Sequence, residues 1–249
     1  MTELLYLDQA YSTEFDARVV ASAEDGTELD RTLFYPEGGG QPCDTGRLAR
    51  ADGSSWKVAR VDKTSGRTLH RLEGVDPPVA GDRLHGSVDW PLRYTHMRYH
   101  TAVHLLSGAA FARFGSDITG SQIAATGARL DLVLPEANRG TCEQLVEAAN
   151  QEIAAARAVE VRWVDPAELE RSPSLVRVRR DLVPAGERLR LIDIVGFDVQ
   201  ADGGTHVRST VEVGPIHFDR FENKGARNKR LYVHLEARAP PTPETADPV

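Results

Sequence analysis

Residues 96–114 read HMRYHTAVHLLSGAAFARF. Good helix formers fill this stretch, apolar residues recur at helical spacing, and the pattern stops before Gly115, which predicts a helix over 96–114. His100 and His104 lie four residues apart on it. That spacing puts both imidazoles on one face, one turn apart, within reach of a single metal ion. A helical zinc protease would also need a glutamate directly after the first histidine as general base, and that position is Thr101. The spacing alone fits a structural histidine pair as well as a metal site.

Upstream of this helix the pattern is one of short strands and turns. Phe15–Ser22 is apolar and β-branched, Asp25-Gly26 is a hairpin-type turn, and Thr32–Tyr35 begins the return. Trp56–Val61 and Thr68–Leu72 flank a second turn at Thr64-Ser65-Gly66, and Arg83–Trp90 is a further strand. Residues 1–90 are therefore expected to form a small β-barrel-like domain. Downstream, a second helix is expected from Thr141, with Thr141 and Gln144 as capping box and Leu145, Ala149 and Ile153 as apolar stripe. A short third helix should follow Asp165-Pro166. Strands return at Leu189–Ile194, Gly196–Gln200, Ser209–Val213 and Leu231–Glu236. The fold class expected is α+β, with residues 91–238 forming an antiparallel sheet and flanking helices. Residues 239–249, APPTPETADPV, are expected to be a disordered tail.

Composition narrows the class. The chain has 249 residues, 41% hydrophobic and 27% charged, enough apolar material for a real core. Two cysteines, Cys43 and Cys142, are too few for a disulfide framework and fit a reducing compartment. No apolar run reaches the roughly 18 residues of a membrane-spanning helix, and the acidic N-terminus does not read as a secretory signal. A cytoplasmic location and no membrane partner are expected. The net charge of -7 argues against indiscriminate nucleic-acid binding. Local basic clusters, Arg177-Arg179-Arg180 and Lys224-Arg227-Lys229-Arg230, could still meet phosphates or simply form a solvated face. No nucleotide-binding fingerprint is apparent, so no nucleotide cofactor is expected.

A second cluster strengthens the metal reading. Asp202-Gly203-Gly204-Thr205-His206 places a carboxylate and a third imidazole four residues apart around a Gly-Gly bend. Three histidines and one carboxylate would suit tetrahedral Zn²⁺. HTAVHLL at 100–106, followed by DVQADGGTHV at 198–207, resembles the editing domain of alanyl-tRNA synthetase, and more closely the free-standing alanyl-tRNA editing proteins of the AlaX family. TLFYPEGGGQ at 32–41, DWPLRYTHMRYHTAVHLLSG at 89–108, Gly120–Ile123, Arg129–Asp131, Glu212-Val213-Gly214 and FENKGARNKRLYVHL at 221–235 extend the resemblance in the expected order.

The resemblance implies that His100, His104 and His206 are zinc ligands. The remaining ligand in the family is commonly a cysteine where this chain has Asp202, and a carboxylate makes the site harder. It implies that Gly38, Gly39, Gly40 and Gln41 lie near the editing pocket and the tRNA end, with Gln41 and the glycine amides as candidates to hold the adenosine or the developing oxyanion. It further implies that the Thr32 hydroxyl tells serine from alanine. The activity implied is hydrolysis of mischarged tRNA(Ala), with serine as main cargo and glycine a second, in trans and with Zn²⁺. Arg220, Lys224, Arg227, Lys229 and Arg230 are the candidate phosphate contacts. Two other readings stay open: a zinc hydrolase of another aminoacyl-tRNA or ester, and a non-enzymatic RNA-binding module with structural zinc.

Overall fold

The computed structural model describes residues 1–116, 118–134, 137–171, 188–225 and 229–244. The chain divides into two compact units, one of residues 1–96 with 239–249 and one of residues 97–238.

In the first unit the strands are β1 (Glu3–Leu4), β2 (Glu14–Ala23), β3 (Gly26–Leu29), β4 (Arg31–Thr32), β5 (Gly46–Ala49), β6 (Ser55–Thr64), β7 (Arg67–Glu73) and β8 (Arg83–Val88). Six of them close into a barrel in the order β2-β3-β7-β6-β5-β8. Alternation drives the closure. Phe15, Ala17 and Val19 of β2 point inward with Leu48, Trp56, Val58, Val61, Leu84 and Val88, while Asp16 and Arg18 face out. Gly86 leaves room for the Phe15 ring, since a Cβ there would sit 2.4 Å from it. Ser65 (φ +51°) and Gly66 (φ +77°) both take the left-handed region, as the tight turn between β6 and β7 requires.

Two sequence expectations shift here. The return strand of the first hairpin is β3, not Thr32–Tyr35. Thr32 instead pairs with Leu4 in the short parallel β1–β4 ladder. At the chain's end, the Pro241 carbonyl accepts from Trp90 Nε1 at 2.6 Å and the Glu244 amide donates to Tyr11 O at 3.0 Å. Pro241 and Glu244 thus have partners within the first unit, although the composition of the segment suggested disorder.

A buried ion pair organises the glycine-rich segment. Arg93 and Asp44 are 0% and 1% exposed. Arg93 Nε lies 2.9 Å from both Asp44 oxygens, and its other nitrogens donate to Ala10 O and Leu33 O. Asp44 also accepts from the Tyr35 amide at 2.6 Å. The two flanks of residues 36–43 are therefore fixed to one guanidinium. Removing one member of such a pair typically costs about 3–5 kcal/mol, because the other charge stays buried.

Arg93 belongs to α1 (Trp90–Phe114), which starts six residues before the predicted position. Asp89 accepts from the Leu92 amide at 3.3 Å, and Pro91 sits in the first turn, where its missing N–H costs nothing. The helix ends at Gly115 (φ +59°), as its sequence suggested.

The second unit holds β9 (Ile118–Ala124), β10 (Gly127–Leu132), α2 (Arg139–Ala154), β11 (Val159–Val164), α3 (Pro166–Arg171), β12 (Leu189–Ile194), β13 (Asp198–Ala201), β14 (Ile216–Asn223) and β15 (Lys229–Leu235). These strands form an antiparallel sheet β14-β15-β10-β9 and a three-stranded sheet β11-β12-β13. Asn150 of α2 exchanges both side-chain amide bonds with the backbone of Ile216, fixing the helix to β14. The α2 cap is Asn138, three residues before the expected Thr141. Asn138 Oδ1 accepts from the Thr141 amide, and Thr141 Oγ1 accepts from the Asn138 amide. Ser209–Val213, expected as a strand, contains a 3-10 turn at Thr210–Glu212, closed by Glu212 accepting from the Ser209 amide. Arg177, Arg179 and Arg180 lie outside the described residues. Among the described residues no helix is long and apolar enough to cross a membrane.

His70 of β7 is fully buried in the first unit. Its Nδ1 lies 3.0 Å from Thr27 O and its Nε2 2.9 Å from Thr32 Oγ1. A carbonyl only accepts, so Nδ1 carries the proton. Burial pushes the His70 pKa down to about 4, with the Thr27 bond opposing only in part. The neutral ring then accepts at Nε2, and the Thr32 hydroxyl must donate to it. The depressed pKa means that stability is full above pH 6.5 and is lost as pH falls toward 4, because the unfolded chain takes a proton the fold refuses. The expected loss from His70 alone between pH 7 and pH 5 is about 2 kcal/mol. Urea unfolding at both pH values checks this. His70→Gln should flatten the dependence by that amount, and an unchanged slope in the variant would show that His70 is not its source.

Candidate metal centre

Four side chains of the second unit converge. The ligand atoms of His100, His104, Asp202 and His206 all lie within 4.8 Å of one another. His100 and His104 come from successive turns of α1, and their rings are 5.1 Å apart. His206 stacks on His100 at 4.4 Å and meets His104 edge-on at 4.6 Å. The Asp202 carboxylate completes the set, with Oδ1 3.5 Å from His100 Nε2 and 3.9 Å from His104 Nε2, and Oδ2 3.2 Å from His206 Nε2. The histidines are buried and Asp202 is nearly so.

The loop from β13 to His206 is shaped for this approach. Asp202 leaves β13 with its amide on Arg190 O and its carbonyl on Arg190 Nη1, at 3.2 and 2.8 Å. Its carboxylate then accepts from the Gly204 amide in a short turn. Gly204 is required for space: a Cβ there would lie 2.2 Å from the His100 ring and 2.9 Å from Asp202 Oδ2. Any larger residue would push a ligand out of the cluster.

Thr101, next to the first ligand, sets the tautomer of the last. Its hydroxyl donates to Met97 O at 3.0 Å, so its oxygen can only accept from His206 Nδ1 at 3.2 Å and from the Val207 amide at 3.3 Å. His206 Nδ1 is therefore protonated and its Nε2 lone pair faces Asp202 Oδ2. Burial, then the neighbouring His100, pushes the His206 pKa down to about 4, and burial lowers His100 as well. Burial opposes ionisation of Asp202, but His100 and then His206 more than offset it and hold the carboxyl well below the usual range. Asp202 Oδ2 and His206 Nε2 face each other across 3.2 Å, and this donor set, three nitrogens with one oxygen, fits Zn²⁺. The cysteines are poor alternatives, since a metal takes the thiolate: burial pushes Cys142 up to about 11 and also raises Cys43.

The glycine-rich residues belong to the first unit. Gly39 (φ +57°) and Gly40 (φ +84°) form a two-residue hairpin turn closed by paired backbone bonds between Gly38 and Gln41. Tyr35 Oη donates to Gly38 O at 2.9 Å, and Gln41 is buried. Thr32 is buried too, donating to His70 and accepting from the Phe34 amide at 3.1 Å. The basic run sorts by environment. Lys229 is buried with Nζ on Asn223 and Gly225, and Arg230 is held by both oxygens of Asp131. Arg220 and Lys224 are exposed, both paired with Glu222. Arg227 lies outside the described residues.

Known sequences meet this geometry. A family described as "tRNA synthetases class II (A)" matches residues 4–92, and "Threonyl and Alanyl tRNA synthetase second additional domain" matches 189–232. The alanyl-tRNA editing protein AlaX-M of Methanosarcina acetivorans is 37% identical over 243 residues, covering 94% of this chain and 99% of that protein. The chain belongs to the AlaX-M family. The AlaX-M protein of Saccharolobus solfataricus is 36% identical, covering 95% of this chain and 100% of its own length. The alanine–tRNA ligase of Pyrococcus furiosus is 38% identical over 224 residues, which are only 24% of that protein. The two family matches fall one on each unit, the first containing Thr32 and Gln41 and the second Asp202 and His206.

Neither Thr101 nor His70 is legible as a site residue from spacing. Thr101 carried one signal only, its place beside a ligand histidine. Thr101→Val keeps the volume and removes the acceptor of His206 Nδ1–H. The expected outcome is zinc bound about 10–100-fold more weakly, with an unchanged circular dichroism spectrum. Competition against a chelator measures it, and unaltered affinity would remove Thr101 from the tautomer argument.

Proposed function

We propose that this chain hydrolyses the ester between the terminal adenosine of tRNA(Ala) and a wrongly attached amino acid, serine first and glycine second, sparing alanine. The observation that carries the reading is the convergence of Asp202 with three imidazoles, in a chain that matches nearly the whole length of its AlaX-M relatives. His100, His104, Asp202 and His206 would hold Zn²⁺. The chemistry such an ion supplies when bound is Lewis acidity at an ester or water oxygen.

The chain's own residues divide the remaining work. Hydrolysis adds a water oxygen to the ester carbonyl carbon, breaks the bond to the ribose oxygen, and returns a proton to that oxygen. An aminoacyl ester is already activated, so positioning with modest electrostatic help suffices. Thr101 keeps His206 in the tautomer whose Nε2 is basic. Gln41 and the amides of Gly38–Gly40 are assigned to the adenosine end or the developing oxyanion.

Thr32 is assigned to the amino-acid side chain, and its bonding fixes how. Its proton is committed to His70 and one lone pair to the Phe34 amide, so what remains is acceptor capacity. A serine hydroxyl can donate into it; alanine and glycine cannot. The preference for serine then rests on the one hydrogen bond that its hydroxyl adds to this oxygen.

Deacylation of Ser-tRNA(Ala) beside Ala-tRNA(Ala) tests the reading. Wild-type protein with zinc is expected to release serine and spare alanine. His104→Ala should lose zinc and at least about 10²-fold in rate, as expected when a metal ligand is removed. Thr32→Val should lower kcat/KM for Ser-tRNA(Ala) by roughly 10–100-fold while changing Gly-tRNA(Ala) less. No serine release by folded, zinc-loaded protein would overturn the proposal.

A further inference from the structure

The expected RNA-binding run in the second unit is largely neutralised, with Glu222 and Asp131 meeting Arg220, Lys224 and Arg230. A contrasting arrangement lies on the outside of the barrel. Arg18 of β2 and Arg83 of β8 are directly opposite in the antiparallel ladder. Both are exposed, and neither guanidinium has a partner among the described residues. Opposed like charges destabilise a sheet, since their Cβ atoms are only about 4.5–5.5 Å apart. A chain with net charge -7 has acidic residues to spare for such a place, so the uncompensated pair stands out.

The pair lines a groove of about 480 Å³ that is also lined by Arg31 and Arg50 and by the acids Asp16 and Asp30. The acids nearby are already engaged. Asp30 accepts from the Arg18 amide at 2.8 Å, and Asp16 meets His85 at 2.9 Å, with Glu14 on the far side of that ring. Arg31 is only loosely held by Glu3 at 3.4 Å, and Arg50 is paired with Asp82 and Asp52. The two opposed arginines therefore present about ten N–H donors to one opening, with no local carboxylate bonded to them.

We propose that this groove, where β2 meets β8, binds the phosphodiester backbone of the RNA substrate. Guanidinium forks match phosphate oxygens in pairs, and a phosphate between Arg18 and Arg83 relieves their mutual repulsion. The contact carries no base specificity. It holds the RNA while the acylated end is edited, and in that sense rests on the tRNA reading above.

The test is the double variant Arg18→Gln/Arg83→Gln, with Lys57→Gln/Lys63→Gln as a barrel variant of equal charge loss. Binding of tRNA(Ala) is followed by fluorescence anisotropy from low to high salt. The groove variant should bind on the order of 10-fold more weakly at low salt, and its log Kd against log salt slope should fall by roughly one to two. The lysine variant should match wild type. Removing the repulsion should leave the melting temperature of the groove variant unchanged or raised, so lost binding would not be lost folding. Added pyrophosphate should raise the melting temperature of wild type more than that of the groove variant. Equal weakening in both double variants would reduce the effect to bulk charge, and an unchanged slope in the groove variant would overturn the proposal. Wild-type deacylation of Ser-tRNA(Ala), run alongside, separates either outcome from a failure of the editing reading.

Discussion

A carboxylate stripped of water must be compensated, and in this protein the compensation defines the site. Asp202 is nearly buried, and imidazole nitrogens of His100, His104 and His206 lie 3.2–3.9 Å from its carboxylate oxygens. Hydrogen bonds from Gly204 and the strand-end anchoring by Arg190 supply part of the stabilisation. The remaining lone pairs of Asp202 and His206 oppose one another. Desolvation of such a group costs several kcal/mol unless a cation joins it. The requirement reaches outward: α1 must run unbroken through His100 and His104, residue 204 must lack a side chain, and Thr101 must offer an oxygen to His206.

The same helix carries the other demanding interaction. Seven residues before His100, Arg93 is buried against Asp44 and the carbonyls of Ala10 and Leu33. One helix thus supplies the anchor of the glycine-rich segment in one unit and two ligands of the cluster in the other. Within the barrel, His70 repeats in miniature the logic of His206. A buried neutral ring has one nitrogen fixed by an oxygen acceptor, so its other nitrogen has a defined polarity. In one case the result is a nitrogen lone pair for a cation, in the other a threonine oxygen left with acceptor capacity only.

Much of this was legible in the sequence where one local rule governs. The His100/His104 spacing on a helix, the Gly-Gly bend before His206 and the strands around Thr64-Ser65-Gly66 follow from periodicity and turn chemistry alone. What was not legible depended on tertiary choice. Asn138 and Thr141 are both good caps, and the fold uses the earlier one, with Thr141 as its reciprocal capping-box partner. Ser209–Val213 has strand composition, but a side-chain bond from Glu212 to the Ser209 amide closes it into a turn. Lys229 and Arg230 look like free cations in the sequence, and only their alternation on β15 shows that one turns inward and the other meets Asp131. The opposition of Arg18 and Arg83, 65 residues apart, is a matter of strand register.

His100, His104, Asp202 and His206 supply the atoms proposed to hold the metal. X-ray absorption at the zinc edge of zinc-loaded protein reads them directly. Three imidazole nitrogens near about 2.0–2.1 Å with an oxygen neighbour and no sulfur, lost on Asp202→Ala and His206→Ala, is the expected result. A sulfur ligand from Cys43 or Cys142, or zinc held unchanged in both variants, would contradict it.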